Sequence, residues 1–365
     1  MLSAAPSYAQ NSESVRPYSQ YQPTVNYLNS RKAKWKNGPG GEYQAGPFTN
    51  VFSLRGDENN VPTIYLPGGP GSALNSGYKD YFDPTTTRLI LSDWRGVGTS
   101  RADNLLTGND TQGLVNDVDK MANIVAPDQK VILFGSSWGS TIAVAYALQN
   151  PEKIAGLVLN RLWLARQADT EWEYSSSGLA AQKYPEQYRS FRNYTGKTET
   201  ADIVATYRDR LNDPDPALQQ EAYLNWISWE WAINGDNFTA QDKEKALSPE
   251  IYAYGLTRAQ IFTNYTANNY FFNKEGLLDI DGRIPDVPVI VTQNEFDPTH
   301  DPSSFGLMRD LLPNAEFIVQ KNADWHFLYA AQMNATRSNY FIENAAAYGV
   351  KKVQNLYKEQ QLVQD

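Results

Sequence analysis

The 365-residue sequence contains no cysteine and only two histidines, His300 and His326. The absence of cysteine excludes disulfide bonds, thiolate nucleophiles and cysteine-ligated metals. Two histidines also leave little material for a zinc site, so we expect neither a metal nor another cofactor. Any chemistry that depends on histidine must use one of these two side chains.

Positive charge is also scarce: 32 Lys and Arg stand against 41 Asp and Glu, a net charge of −9. Binding to phosphates needs clustered Lys and Arg, so we expect no nucleic-acid partner and no anionic membrane partner. The sequence has no run of about 18 apolar residues, so we expect no membrane-spanning segment. The chain is long enough to bury a substantial core. Composition leaves the oligomeric state open.

The N-terminal segment has two interpretations. Residues 3–10 (Ser-Ala-Ala-Pro-Ser-Tyr-Ala-Gln) resemble the end of an export signal, with a small-x-small pattern that ends at Ala9. The positively charged and apolar regions of such a signal are missing before it. The segment is therefore either a disordered tail or the remainder of an export signal, and a periplasmic location is slightly favoured over a cytoplasmic one.

Short apolar runs recur along the chain at the spacing of a parallel sheet. They cover residues 62–66, 88–92, 130–134, 156–160, 287–292 and 315–319. Continuous β-branched runs of this length are typical of strands buried on both faces. Helical patterns lie between them at 113–125 and 140–149. The alternation predicts an α/β fold with a mostly parallel central sheet and helices on both faces.

The alternation breaks between residues 162 and 285, where the pattern is helical and five of the nine tryptophans occur. We expect a helical cap domain at 162–285, inserted into a catalytic core formed by 43–161 and 286–365. Residues 1–42 are rich in Ser, Asn, Gln, Pro and Tyr and are expected to form an extended N-terminal arm. A cap would cover the carboxyl ends of the strands, where open α/β sheets bind their ligands.

Residues 135–139 (Gly-Ser-Ser-Trp-Gly) match the G-x-S-x-G pattern of a nucleophile elbow. The pattern alone is weak, but a predicted strand runs directly into it and an Ala-rich helix follows. A tight strand-to-helix turn holds the serine in a strained backbone and exposes its Oγ at the sheet edge. We therefore predict that Ser137 is the nucleophile, with a plain glycine-rich turn as the alternative.

A serine hydroxyl is a poor nucleophile without a general base. In the α/β-hydrolase fold the chain order is serine, acid and then histidine, with the histidine just after the last strand. His326 follows the predicted strand 315–319, so we predict that it is the base. His300 is expected to be a loop or pocket-lining residue.

The triad acid is expected after the penultimate strand, 287–292. Asp297 is the predicted acid, and its role is to fix the imidazole tautomer and to stabilise the imidazolium. Asp301 and Glu295 are competitors for this role, and a loop-capping function is the alternative for Asp297.

An oxyanion hole needs two backbone N–H groups aimed at the developing negative charge. One is expected from Trp138, the residue after the nucleophile. The other is expected from the loop at 67–71 (Pro-Gly-Gly-Pro-Gly), where Gly68 and Gly69 let backbone amides approach a substrate carbonyl. A simple turn is the alternative for this loop.

Taken together, these segments resemble the prolyl iminopeptidases, serine aminopeptidases of the α/β-hydrolase fold. That family carries His-Gly-Gly-Pro-Gly, and residues 67–71 are Pro-Gly-Gly-Pro-Gly. It carries Asp-Gln-Arg-Gly-x-Gly-x-Ser, and residues 93–100 are Asp-Trp-Arg-Gly-Val-Gly-Thr-Ser. It carries Gly-Gly-Ser-Trp-Gly-Ser, and residues 135–140 are Gly-Ser-Ser-Trp-Gly-Ser. The resemblance implies removal of an N-terminal residue, preferably proline, from a peptide.

The resemblance also implies acidic cap residues that bind the free amine of the substrate. One lies in a Trp-x-x-Trp-Glu pattern that residues 226–230 match, so Glu230 is predicted to bind the amine. In its apolar surroundings this carboxylate needs a partner, either a substrate ammonium or a nearby arginine or amide. The second family glutamate is replaced by Ala267. The other predicted substrate-binding residues are Asn160, Trp163, Trp229 and Tyr270.

We therefore predict an aminopeptidase-like amide hydrolase that acts through an acyl-enzyme on a small peptide or an aminoacyl amide or ester. The alternative is an esterase, amidase or acyltransferase that uses the same triad on a small specialised substrate. A binding protein without catalytic activity is a third interpretation, which the intact Ser, Asp and His set disfavours. Epoxide hydrolases and dehalogenases share the fold but need an aspartate where Ser137 stands.

Overall fold

The structure is a computed structural model that describes residues 35–74, 81–234, 238–294, 299–301, 303–320 and 338–364. These residues form a nine-stranded sheet. The strands are β1 (Gly41–Ala45), β2 (Phe48–Arg55), β3 (Pro62–Leu66), β4 (Arg88–Ser92), β5 (Arg101–Ala102), β6 (Val131–Ser136), β7 (Ile154–Asn160), β8 (Val289–Asn294) and β9 (Glu316–Gln320). The six predicted strands correspond to β3, β4 and β6–β9, with bounds that differ by two residues or fewer.

The strand order is β1-β2-β4-β3-β6-β7-β8-β9, and β5 pairs with β2. Strand β2 is antiparallel to β1, β4 and β5, whereas every pair from β4 to β9 is parallel. The prediction of a mostly parallel sheet is therefore confirmed. The antiparallel hairpin β1–β2 and the short strand β5 were not among the predicted strands.

Helices cover both faces of this sheet. In the described part of the chain, the α-helices outside the segment between β7 and β8 are α1 (Thr111–Val125), α2 (Trp138–Gln149), α10 (Ser304–Leu311) and α11 (Ser338–Gln364). Ile64 and Leu66 of β3 pack in the core that α1, α2 and α10 join. Tyr65, which points to the opposite face, packs in the core that α11 joins. The predicted layers of helix, sheet and helix are thus present.

Helix α1 begins two residues before the predicted start at 113, because Asp110 caps it. The Asp110 carboxylate accepts a hydrogen bond of 2.7 Å from the backbone N–H of Gly113. Helix α2 ends at Gln149, as the following Asn-Pro pair predicts.

Seven α-helices are described between β7 and β8, in the stretch where we predict the cap. They are α3 (Gln167–Tyr174), α4 (Leu179–Lys183), α5 (Pro185–Thr195), α6 (Thr200–Leu211), α7 (Pro216–Ile233), α8 (Ala240–Ala246) and α9 (Pro249–Ala267). We call them the cap helices. They bury an aromatic core of their own, in which Phe191 stacks on Tyr207 with ring centroids 4.7 Å apart.

Helix α9 brings the cap helices against the loop that follows β3. Tyr254 Oη accepts a hydrogen bond of 3.1 Å from the backbone N–H of Ala73, and Arg258 Nε donates to Ser72 Oγ at 3.3 Å. Tyr265 Oη donates to Asn109 Oδ1 at 3.1 Å on the core side. These contacts place helix α9 against the loop at the carboxyl end of β3 and against the segment before α1. None of the helices in the described part of the chain is both long and apolar enough to cross a membrane.

Candidate active site

Ser137 lies at the sharp turn between β6 and α2, with φ 52° and ψ −120°. A positive φ is uncommon for a residue other than glycine and is the backbone state of a nucleophile elbow. Gly139 permits the turn, because a Cβ there would lie 2.0 Å from the carbonyl oxygen of Leu66 in β3. At Gly135 a Cβ would lie 2.4 Å from Gly139 O. Both glycines of the pattern are therefore required by close packing.

Asn160, at the end of β7, is hydrogen-bonded to this turn. Its carbonyl oxygen accepts hydrogen bonds from Ser137 N at 2.8 Å and from Ser140 Oγ at 3.0 Å. Its amide oxygen accepts from Thr292 Oγ1 at 2.8 Å. We predicted that Asn160 binds substrate, but it is not among the residues that line the cavity at Ser137. The backbone carbonyl of Asn160 thus links β7 to the elbow, and its side-chain amide links β7 to β8.

Five of the predicted site residues line one cavity of about 150 Å³. They are Gly69, Ser137, Trp163, Glu230 and Tyr270. The structure therefore brings together the elbow, the loop after β3, the segment after β7 and, through Glu230, the cap helix α7.

Four charged side chains also line this cavity: Arg161, Glu173, Glu230 and Arg258. Arg258 Nη1 donates to Glu230 Oε2 at 2.6 Å, and Nη2 lies 3.5 Å from Oε1. The sequence left the partner of Glu230 open between a substrate ammonium and a nearby arginine or amide. In the structure the Glu230 carboxylate pairs with Arg258. The adjacent carboxylate raises the pKa of the Arg258 guanidinium, so this side chain stays charged.

Glu173, from α3, is a second carboxylate at the cavity and is only 8% exposed. Burial raises the pKa of the Tyr270 phenol well above its ordinary value, and the charge of Glu173 adds to that shift. Tyr270 therefore stays protonated and neutral near neutral pH. Glu173 could not be identified from the sequence, since nothing in the polar pattern of α3 separates it from its neighbours.

Aromatic rings form the wall beside Ser137. Trp163 and Tyr270 meet edge to face with centroids 4.5 Å apart, and Trp138 lies 5.4 Å from Tyr270. The indole N–H of Trp163 has no hydrogen-bond partner among the described residues. A buried donor without a partner costs about 1–3 kcal/mol, so a polar atom of a ligand would be favourable there.

Trp229 was predicted to bind substrate, but it does not line the cavity. It lies in the core of the cap helices, 5.3 Å from Tyr188 and 5.4 Å from Phe191 between ring centroids. It follows Trp226 by three residues on α7, so both face the interior of the cap. The side chain stabilises the cap and does not touch the site.

The loop after β3 lies beside Ser137. A Cβ on Gly68 would be 3.7 Å from Ser137 Cβ, and Gly69 lines the same cavity. Trp138 is the first residue of α2, so its backbone N–H has no partner within the helix. The oxyanion-hole roles of Gly68, Gly69 and Trp138 stay predictions.

Asp297, His326 and the competitor Glu295 lie outside the described residues, so their roles stay predictions. Asp301 is described, and its carboxylate accepts from Ser303 Oγ at 2.7 Å and from Arg166 Nη2 at 3.3 Å. These bonds make Asp301 a loop-capping residue.

His300, the other histidine, was expected to be a loop or pocket-lining residue. Its Nε2 lies 2.8 Å from the carbonyl oxygen of Leu162, and its Nδ1 lies 2.9 Å from Thr299 Oγ1. With both ring nitrogens engaged, His300 fastens its loop to the end of β7. Within the described ranges, no group of three His, Cys, Asp or Glu residues could hold a metal ion.

The comparisons with known proteins agree with the α/β architecture. The model of the α/β-hydrolase fold family matches residues 62–331. A loop variant of a haloalkane dehalogenase from Bradyrhizobium elkanii, 12% identical, superposes with a TM-score of 0.54 over 88% of this chain and 99% of that one. That likeness concerns the fold alone.

Two relatives specify the family further. The proline iminopeptidase of Xanthomonas citri is 31% identical over 250 residues, which are 68% of this chain and 78% of the relative. The proline iminopeptidase of Arabidopsis thaliana is 32% identical over 252 residues, 68% of this chain and only 64% of that longer protein. The chain therefore belongs to the proline iminopeptidase family of α/β hydrolases. The predicted fold, family and hydrolase class are confirmed.

Proposed function

We propose that the protein is a serine aminopeptidase that removes one N-terminal residue, proline or a residue of similar size, from a peptide. The observation that carries this proposal is the cavity of about 150 Å³ that Ser137 lines. A cavity of about 150 Å³ accommodates a single ring such as benzene. It would accept one small terminal side chain and would exclude the interior of a longer peptide.

In the proposed reaction Ser137 Oγ attacks the carbonyl carbon of the terminal residue, and His326 takes the hydroxyl proton. The oxyanion of the tetrahedral intermediate accepts hydrogen bonds from backbone N–H groups of Gly69 and Trp138. The C–N bond then breaks, and the departing amine receives the proton from His326, which Asp297 orients. Water hydrolyses the resulting ester on Ser137 and regenerates the hydroxyl.

The free amine of the substrate is proposed to lie between the carboxylates of Glu173 and Glu230. Both groups line the cavity, and they come from different helices, α3 and α7. The sequence has alanine at 267, where the family pattern has its second glutamate. Glu173 would supply a second carboxylate from another direction. Arg258 neutralises part of the Glu230 charge, so we expect both carboxylates to contribute to amine binding.

A substrate panel tests the proposal. It compares prolyl, alanyl and leucyl anilides, their N-acetylated forms and simple acyl esters on the full-length chain. We expect turnover of the free prolyl anilide, weaker turnover of the bulkier leucyl anilide, and little turnover of N-acetylated forms. Preference for simple esters, with no effect of a free amine, would contradict the proposal and support the esterase alternative.

A matched pair of variants on α3 tests the amine site. Glu173→Gln should lower kcat/KM for free-amine substrates by about 10-fold to 100-fold, as a charged hydrogen bond contributes roughly 1.5–3 kcal/mol. Glu171→Gln, which makes the same charge change outside the cavity lining, should have little effect. Equal effects of the two substitutions, or equal losses with N-acetylated substrates, would contradict the assignment of Glu173.

A further inference from the structure

The indole N–H of Trp94 lies against the loop that follows β3. Its Nε1 donates to the carbonyl oxygen of Gly68 at 2.9 Å and to that of Pro67 at 3.2 Å. We infer that Trp94 is a positioning residue that fixes the oxyanion-hole loop for catalysis. This inference rests on the proposed function, because it concerns the backbone N–H groups assigned there to the oxyanion.

The geometry of the peptide group gives the reason. In a planar trans peptide, the C=O of one residue and the N–H of the next point in opposite directions. Holding the Gly68 carbonyl toward Trp94 therefore turns the N–H of Gly69 away from Trp94. Holding the Pro67 carbonyl does the same for the N–H of Gly68. One indole N–H thus sets the direction of both candidate donors in the loop.

The loop needs such a restraint. Glycine has no Cβ and the largest backbone freedom of any residue, and Gly69 has φ 132°, a region that other residues rarely adopt. Without an anchor, the Gly68–Gly69 peptide could rotate and leave the oxyanion without its donor. Donors stabilise a transition state most when they are oriented before the reaction.

The turn that carries Trp94 is itself held firmly. The Asp93 carboxylate accepts from the backbone N–H groups of Leu74 at 2.7 Å and Thr99 at 2.8 Å. Arg95 forms a two-pronged ion pair with Asp117 of α1, with Nη2 to Oδ1 at 2.9 Å. Asp93 therefore holds the segment just after the oxyanion-hole loop, through Leu74. Arg95 holds the turn against α1, through Asp117.

Position 94 also differs informatively from the family pattern, which has glutamine there. A glutamine amide can donate a hydrogen bond, whereas a phenylalanine ring cannot donate through nitrogen. Trp94→Phe therefore removes the donor and keeps much of the aromatic volume. Trp94→Gln removes the aromatic volume and keeps a donor.

A third variant controls for the loss of packing when a buried indole is replaced by a phenyl ring. Trp226, in the core of the cap helices, is fully buried and its Nε1 has no partner among the described residues. Trp226→Phe therefore makes the same chemical change as Trp94→Phe without breaking a hydrogen bond.

The experiment measures kcat, KM and Tm for all four proteins with the best substrate of the panel. We expect Trp94→Phe to lower kcat about 10-fold or more with little change in KM, up to the roughly 100-fold that loss of an oxyanion donor costs. Trp94→Gln should recover most of that kcat even where its Tm is lower. Trp226→Phe should lower Tm and leave kcat unchanged.

Two results would overturn the inference. One is wild-type kcat in Trp94→Phe. The other is a kcat in Trp94→Gln as low as in Trp94→Phe, which would make the effect one of packing. Failure of the proposed function would look different, because the wild-type protein would then neither cleave the panel substrates nor react at Ser137.

Discussion

Arg258 Nη1 lies 2.6 Å from Glu230 Oε2 on the wall of the cavity that also contains Ser137. The two residues stand on different helices, α9 and α7, so the ion pair joins these helices at the site. The side chain of Glu230 is 10% exposed and that of Arg258 is 29% exposed. A substrate ammonium bound at Glu230, as proposed, would therefore share the carboxylate with Arg258.

This relationship predicts strong coupling between the two residues. Glu230→Gln and Arg258→Gln should each destabilise the protein by about 2–3 kcal/mol, less than the roughly 3–5 kcal/mol of a fully buried pair. The double variant should lose less than the sum, because neither charge is then left alone. Chemical denaturation of the four proteins measures the coupling. Additive losses would contradict a direct ion pair.

The two histidines should differ sharply when replaced. His326→Ala should lower kcat by several orders of magnitude, because the members of a triad act as a unit. His300→Ala should keep kcat within about tenfold but destabilise the fold by about 1–3 kcal/mol, since the Leu162 carbonyl loses its partner. Steady-state kinetics and thermal unfolding separate the two effects. The reverse ranking in kcat would move the base to His300.

A pair of glycine substitutions tests the packing at the elbow. Gly139→Ala places a Cβ 2.0 Å from Leu66 O, so the N-terminal end of α2 must shift. We therefore expect stability and activity to be lost together. Gly306→Ala, in α10, meets nothing within 4 Å. It should stabilise the protein by about 0.5–1 kcal/mol, the helix preference of alanine over glycine. Thermal unfolding with an activity assay distinguishes them. An unaffected Gly139→Ala would contradict the close approach.

The buried strands and the elbow could be predicted from the sequence, because they depend on local patterns. Continuous apolar runs mark β3, β4 and β6–β9, and the G-x-S-x-G pattern marks Ser137 in its strand-to-helix context. Strand β2 was missed because alternate residues are only partly buried, so no continuous apolar run occurs. Its place in the sheet comes from antiparallel pairing with β4, which is a contact distant in sequence.

Apart from Glu230, which the Trp-x-x-Trp-Glu pattern indicated, the charged residues of the cavity could not be predicted from local patterns. Glu173, Glu230 and Arg258 lie on α3, α7 and α9, and only the packing of the cap helices brings them together. Arg161 has φ 56°, an uncommon backbone state for a residue other than glycine. No local pattern in the sequence assigns this arginine to the cavity.

The central claim, that Ser137 is the nucleophile of a serine hydrolase, is tested most directly by covalent labelling. Wild type and Ser137→Ala are treated with a fluorophosphonate probe, and intact mass spectrometry with peptide mapping follows. The account predicts one adduct per wild-type chain, located on Ser137, and no adduct on a Ser137→Ala protein that unfolds at a similar Tm. Labelling of folded Ser137→Ala, or an adduct on another residue of the wild type, would contradict it.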